Sequence, residues 1–224
     1  MSIQQKIEEL RQELHQHNYR YYVLDQPSIS DFEFDQKLKT LQDWELAHPE
    51  FYDPNSPTMR VGGEVTKTFP TIQHQFRMYS LDNSYDEKDL EDWHKRLVKT
   101  LETEAIEMVA ELKYDGASIS ILYENGQFSQ AITRGDGFQG DEITQNVKTI
   151  QSIPLKLHGD FPDKFFIRGE IYLTHHAFNK INKEREQEGY DAFMNPRNTA
   201  SGSLKMQDSS EVKKRNLSAV LYQY

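Results

Sequence analysis

The spacing of apolar residues changes along this chain of 224 residues, and that change limits the folds open to it. In the first segment apolar residues recur every three or four positions, which places them on one side of a helix, as for Ile3, Ile7, Leu10 and Leu14. After residue 105 the repeat is two, which indicates strands. Strands joined by hairpins, with helices before and between them, favour the α+β class over a doubly wound parallel sheet.

Three Ser-x-x-Glu/Gln patterns predict where helices begin, because the serine and the third residue after it can cap each other's backbone N–H groups. These patterns are Ser2 with Gln5, Ser30 with Glu33, and Ser84 with Glu87. The helix after Ser30 carries the apolar residues Phe34, Leu38 and Leu41, and the helix after Ser84 carries Leu90, Trp93, Leu97 and Leu101.

The second helix should end at His48-Pro49, because the residue before a proline disfavours helical backbone. Pro54, Pro57, Gly62 and Gly63 follow, and such residues are typical of a loop. We therefore predict a small helical subdomain over residues 1–65 and a mostly antiparallel core over residues 66–224. The stretch from Glu50 to Gly63 is a linker that could act as a hinge.

The core should contain several strands. Alternation of Ile106, Met108, Ala110 and Leu112 with the residues between them predicts one. Asn125-Gly126 predicts a tight hairpin turn between strands at Ala117–Tyr123 and Phe128–Thr133, because both turn positions require positive φ. Further along, the pattern predicts strands at Lys164–Leu173 and Asn216–Tyr224, and helices at Asp141–Ile150 and Thr174–Gln187.

Composition excludes several classes of function. The chain has no cysteine, which excludes disulfide scaffolds, thiolate zinc sites and cysteine nucleophiles. Its net charge is −10, whereas most nucleic-acid binders carry an excess of Lys and Arg. There is no apolar run of roughly 18–20 residues, the length of a membrane span, and the N-terminus lacks the apolar core of a signal peptide. We therefore expect a cytoplasmic protein with no membrane partner and weak or no binding of DNA or RNA by this chain alone.

Glu111, Lys113 and Asp115 would share one face of the predicted strand. On spacing alone, the favoured interpretation is a solvated cluster of ion pairs. The alternative is that Lys113 is a nucleophile, which requires a neutral amine and costs roughly 4 kcal/mol near neutral pH. Because the flanking carboxylates favour the charged amine, that alternative requires desolvation or a nearby cation, such as a metal ion or a cationic substrate.

Three further clusters are candidates for ligand binding. Arg134 opens a glycine-rich turn and could contact a phosphate or a ribose. Arg168 and Glu170 share a strand face, where a cross-strand ion pair is at least as good an explanation. Asp31 and Asp35 share a helix face near Tyr21 and Tyr22, which would suit a cationic aromatic ligand.

The motifs, taken in order, resemble a family. Lys113-Tyr114-Asp115-Gly116 is similar to the Lys-x-Asp-Gly motif of nucleotidyltransferases. The order and spacing of the whole set resemble those of the bacterial NAD-dependent DNA ligases: Asp31-Phe32-Glu33-Phe34-Asp35, Ser80-Leu81-Asp82-Asn83, Glu111–Gly116, Tyr123–Gly126, Thr133–Gly137, Ile153–Leu157, Arg168–Glu170 and Asn195–Asn198.

This resemblance implies an N-terminal adenylation portion in which Lys113 attacks the α-phosphate of NAD, forms lysyl-AMP and releases nicotinamide mononucleotide. AMP would then pass to the 5′-phosphate of nicked double-stranded DNA in the full-length enzyme. The resemblance also implies Mg²⁺ as a cofactor, with no metal ligand assigned. The adenylate would contact Ser80, Leu81, Glu111, Asp115, Arg134, Glu170 and Arg197, and the nicotinamide mononucleotide half would contact Tyr21, Tyr22, Asp31, Phe32, Glu33, Phe34 and Asp35.

The sequence departs from the family at several points. Phe34 replaces a common tyrosine, and Lys205 replaces a common arginine, which removes a bidentate grip on phosphate. The family's later lysine-containing motifs do not occur before Tyr224, so we expect the core to be truncated on its C-terminal side. Two alternatives stay open from the residues: a nucleotidyltransferase that uses ATP or GTP, and a catalytically silent NAD-binding module.

Overall fold

The computed structural model describes residues 2–22, 26, 28–60, 68–81 and 83–223. Its helices are α1 (Ile3–Tyr22), α2 (Asp31–Ala47), α3 (Glu87–Leu101), α4 (Thr144–Lys148), α5 (His175–Gln187), α6 (Pro196–Leu204) and α7 (Ser209–Lys214). Its strands are β1 (Thr71–Gln73), β2 (Ala117–Glu124), β3 (Gln127–Thr133), β4 (Gln139–Asp141), β5 (Lys164–Tyr172) and β6 (Ser218–Gln223). The two sheets are antiparallel, so the α+β prediction is confirmed.

Two of the three predicted capping boxes are present. The Gln5 N–H donates to Ser2 Oγ at 3.2 Å while the Ser2 N–H donates to Gln5 Oε1 at 2.8 Å. Ser30 and Glu33 cap each other in the same way at the start of α2. The two helices bury Ile7, Leu14 and Leu41 between them, which gives the helical subdomain its own small core.

The third capping prediction was wrong. The side chain that caps α3 is Asp86, whose Oδ1 accepts the Asp89 N–H at 2.8 Å. Aspartate caps a helix as well as serine does, and here it stands one residue before the helix while Ser84 stands three before it. The apolar side of α3 is not buried in the described structure, and Leu90 is 53% exposed.

The larger sheet has the strand order β3-β2-β5-β6. Asn125 (φ 50°) and Gly126 (φ 73°) form the predicted tight turn between β2 and β3. One face of this sheet packs on the helices and loops of the core, with Ile119, Ile121 and Ile171 fully buried. The other face carries Ser118 opposite Glu170 and leads to the cleft described below.

The strand predicted over Ile106–Leu112 was wrong, because these residues have no regular secondary structure. A strand is stable only when a neighbour accepts and donates its backbone hydrogen bonds, and the described residues provide no such neighbour here. Val109 and Leu112 are accordingly 85% and 80% exposed. The helix predicted over Asp141–Ile150 is shorter, because Asp141 pairs with Thr71 in the two-stranded sheet β1-β4.

Hydrogen bonds hold the described part of the predicted hinge, residues 50–60, against the core. The prediction of a hinge did not anticipate these contacts. The buried Arg60 guanidinium donates to the carbonyls of Lys148, Ile150 and Ile153, at 3.1, 2.8 and 2.7 Å. The Lys148 ammonium donates in return to the Pro54 carbonyl at 2.7 Å. Gly62 and Gly63, at the end of the predicted hinge, lie outside the described residues.

The same stretch is bound to the helical subdomain by a carboxylate that is 15% exposed. Glu45 of α2 accepts hydrogen bonds from Arg11 of α1 and from the hydroxyls of Ser56 and Thr58. Asn55 reaches the core at Gln127, with 3.2 Å between Nδ2 and Oε1. The subdomain is therefore attached at the β2-β3 hairpin end of the sheet.

Candidate active site

A cleft of about 1430 Å³ opens at the other end of the sheet, where β2 begins. Eight of the residues predicted for the core side of the site line it, although they come from distant parts of the chain: Ser80, Leu81, Glu111, Lys113, Asp115, Arg134, Glu170 and Arg197. The cleft is large enough for a nucleotide, since ligand pockets commonly measure about 300–1,000 Å³.

The turn that carries Lys113 is anchored at Gly116. Its N–H donates to Glu170 Oε1 at 3.1 Å, and the other oxygen of Glu170 accepts from Ser118 Oγ at 2.6 Å. A Cβ at Gly116 would lie 2.0 Å from the carbonyl oxygen of Ile171, so only glycine permits this close approach of the turn to β5. Lys113 itself is exposed within the cleft.

The glycine-rich turn after β3 supports the opposite wall of the cleft. Gly137 has a φ of 91°, and its carbonyl accepts the Met78 N–H at 2.9 Å. His74 Nε2 donates to the Arg134 carbonyl at 3.1 Å. Asp136 Oδ1 accepts the backbone N–H groups of Gln139 and Phe138, at 2.9 Å each, and these hydrogen bonds lower the pKa of Asp136. These contacts place the segment that carries Ser80 and Leu81 beside Arg134.

Two cationic side chains that line the cleft, Arg197 and Lys205, form ion pairs with nearby carboxylates. Arg197 lies 3.3 Å from Asp115, measured between Nη1 and Oδ1, and both side chains are more than half exposed. Lys205 lies 2.7 Å from Asp141, measured between Nζ and Oδ2. Because exposed ion pairs contribute little to stability, these side chains can exchange partners when an anionic ligand enters.

Six further residues that line the cleft were given no role from the sequence, although Tyr114, Asn195 and Asn198 stand within the motifs quoted above. The other three are Tyr79, Ser201 and Tyr222. A signal for part of this set was available. Asn195-Pro196 is typical of a helix start, with Asn as the cap and Pro in the first turn, and Asn195 does cap α6. Tyr222 lies on β6, and nothing in the sequence alone indicates that this strand pairs beside Glu170.

The residues predicted for the nicotinamide side do not line this cleft where their side chains are described. Phe32 is 70% exposed, and Phe34 packs on the small core of the helical subdomain. Glu33 is engaged in capping α2, and hydrogen bonds from the backbone and side chain of Ser30 lower its pKa. Asp35 is exposed. The side chains of Tyr21, Tyr22 and Asp31 lie outside the described residues.

Among the described residues, no three or more His, Asp or Glu side chains come together as a metal site. The carboxylates of the cleft are instead engaged by other groups, as Glu170 is by Ser118 and Asp115 is by Arg197. The described residues therefore offer no set of three such ligands, and no side chain is assigned to Mg²⁺. Within the described ranges, no helix is both long and apolar enough to cross a membrane.

Comparison with known proteins gives matches over nearly the whole chain. A family model described as the NAD-dependent DNA ligase adenylation domain matches residues 66–224. A second, described as a DNA ligase-like, N-terminal NAD+-binding domain, matches residues 1–62.

Individual relatives give the same result. A DNA ligase of Flavobacterium johnsoniae is 62% identical over 222 residues, which is 99% of this chain and 33% of that protein. A DNA ligase of Christiangramia forsetii is 60% identical over the same shares of the two chains. One of Parabacteroides distasonis is 52% identical over 98% of this chain. The chain thus spans about a third of the length of the curated relatives it matches.

Proposed function

The chain belongs to the NAD-dependent DNA ligases, and from that premise we propose that its core takes AMP from NAD onto Lys113. One observation carries the proposal. Eight side chains from five separate segments, at residues 80–81, 111–115, 134, 170 and 197, line one cleft of nucleotide size, and Lys113 is among them.

Lys113 is the only nucleophile that the proposal needs. Its neutral amine attacks the α-phosphorus of NAD, a new N–P bond forms, and the P–O bond to nicotinamide mononucleotide breaks. The amine proton is lost to solvent or to a cleft carboxylate. Because Glu111 and Asp115 favour the charged amine, the positive nicotinamide ring and Arg197, which is paired with Asp115, would oppose them.

The remaining cleft residues are proposed to hold the adenylate. Arg134 and Arg197 can donate forked hydrogen bonds to phosphate oxygens. Glu111 and Glu170 can accept from hydroxyl or amino donors of adenosine. Ser80 and Leu81 form a wall of the same cleft. Mg²⁺ is retained only as a proposed cofactor, and no step is derived through it.

We propose that residues 1–65 are the subdomain for the nicotinamide half, through Tyr21, Tyr22, Asp31, Phe32, Glu33, Phe34 and Asp35. This subdomain is attached at the hairpin end of β2, whereas the cleft lies at the start of that strand. The two ends are seven residue steps apart, or about 23 Å. NAD that contacts both would therefore require the subdomain to swing towards the cleft.

The proposed partner is nicked double-stranded DNA, bound mainly by the rest of a full-length ligase. The chain has a net charge of −10, and a DNA-binding surface normally carries an excess of cations. We therefore expect weak or no DNA binding by this portion, and no sealing of nicks by it alone. Its proposed location is the bacterial cytoplasm, at the nucleoid.

The proposal is tested by incubating the purified chain with NAD and Mg²⁺ and measuring its intact mass. We expect one added adenylyl group, its loss in K113A, and its retention in K183A, which removes an exposed lysine of α5. Parallel reactions with ATP and with GTP test the other nucleotidyltransferase alternatives. Tight binding of NAD without an adduct would instead favour a silent NAD-binding module.

A further inference from the structure

We propose that Ser118 is a positioning residue for Lys113. Its hydroxyl hydrogen-bonds to Glu170 and orients that carboxylate to accept the Gly116 N–H. The second bond fixes the turn that carries Lys113. The inference rests on the proposed function, because the position of that turn matters for catalysis only if Lys113 accepts AMP. Ser118 belongs to none of the motifs that carry the family resemblance.

The contact geometry supports this role. Ser118 and Glu170 are direct neighbours across the antiparallel pair β2-β5. Ser118 Oγ donates to Glu170 Oε2 at 2.6 Å, which is in the range of a short hydrogen bond to a charged acceptor. Oε1 of the same carboxylate accepts the Gly116 N–H at 3.1 Å. The carboxylate therefore connects the strand to the turn, and Ser118 limits its rotation.

Ser118 also joins the other side of the cleft. Its carbonyl accepts the Arg134 N–H at 2.9 Å, so the same residue fixes the backbone from which Arg134 extends. Tyr222 of the edge strand β6 lines the cleft together with Ser118. Burial and the negative charge of Glu170 raise the pKa of Tyr222, which keeps the phenol neutral beside the carboxylate.

The bonding leaves Glu170 free to act on a ligand as well. A carboxylate has about four acceptor positions, of which the Ser118 hydroxyl and the Gly116 amide occupy two. The others can accept from a hydroxyl or amino group of an adenosine in the cleft. Loss of the Ser118 hydroxyl would let this carboxylate rotate, and both the turn and the ligand contact would loosen together.

The first test needs no ligand: amide hydrogen exchange at Gly116, followed by NMR. We expect exchange at Gly116 to rise by about tenfold in S118A, the ratio that corresponds to loss of one such hydrogen bond. S118T, which keeps the hydroxyl, should stay within about twofold of wild type. The matched control is S120A, which removes the same group from the next position on the same strand face, opposite Arg168. Equal exchange in S118A and S120A would overturn the proposal.

The second test is a double-mutant cycle on the rate of adenylyl transfer at saturating NAD. S118A should slow the single-turnover rate by about tenfold in wild type and have no further effect in E170Q, because it acts through Glu170. Equal effects in both backgrounds would overturn the proposal. If wild type forms no adduct, the proposed function fails and the exchange experiment still decides the role of Ser118. If S118A does not fold, S118G, which also lacks the hydroxyl, takes its place. The same rise in Gly116 exchange is expected, and exchange equal to that of S120A would overturn the proposal.

Discussion

Replacing Arg60 by alanine tests how the helical subdomain is attached to the core. Arg60 is 4% exposed, and its guanidinium donates to three carbonyls, of Lys148, Ile150 and Ile153. A hydrogen bond that involves a charged group contributes about 1.5–3 kcal/mol. Burying the charge offsets part of that sum, so R60A should lower the free energy of unfolding by about 3–5 kcal/mol. R60K should recover little, because an ammonium cannot match the planar fork.

Urea unfolding followed by fluorescence measures this effect. Trp44 packs on the core of the helical subdomain, so its emission in a Trp93→Phe background reports that subdomain separately. R96A is the matched control, because Arg96 is exposed on α3. We expect the Trp44 transition to move to lower urea in R60A and to stay in place in R96A. A free energy of unfolding in R60A within about 0.5 kcal/mol of R96A would refute the account of how the subdomain is held.

Further predictions concern local contacts. D86A should lower the free energy of unfolding by about 1 kcal/mol through loss of the α3 cap, whereas S84A should leave it unchanged. Urea unfolding of the two variants measures the difference. Burial, with two nearby cations, lowers the pKa of His15 to about 4 from 6.5, so stability should be complete above about pH 6.5 and fall as the pH drops towards 4. The loss of unfolding free energy should be up to about 3 kcal/mol. It should be absent in H15Q and present in H94Q, a control at an exposed histidine. A free energy of unfolding that does not change with pH in the wild type would contradict this. G116A should abolish adduct formation in the mass assay, because its methyl group would collide with the β5 backbone.

The sequence predicted best those elements whose signals are local. The Ser2 and Ser30 capping boxes, the end of α2 before Pro49 and the Asn125-Gly126 turn depend on neighbouring residues alone. Strand pairing was predicted less well, because it depends on partners elsewhere in the chain. Alternation at 106–112 was present without a neighbour to pair with, and the short strand at Asp141 was assigned to a helix because its partner Thr71 is distant.

The composition of the cleft was predictable only through motifs. Spacing alone favoured a solvated ion-pair cluster around Lys113, and only the ordered set of motifs pointed to the eight residues that the structure brings together. Contacts such as Ser118 with Glu170, or Arg60 with three core carbonyls, result from register and docking. No local pattern encodes them, because the partners are 52 residues apart in the first case and 88 to 93 residues apart in the second.

The most direct measurement is a crystal structure of the chain after incubation with NAD and Mg²⁺. We expect continuous density from Lys113 Nζ to a phosphorus atom, with the adenosine inside the cleft beside Arg134 and Glu170. An unmodified Lys113 side chain with the nucleotide bound at another surface would contradict the account.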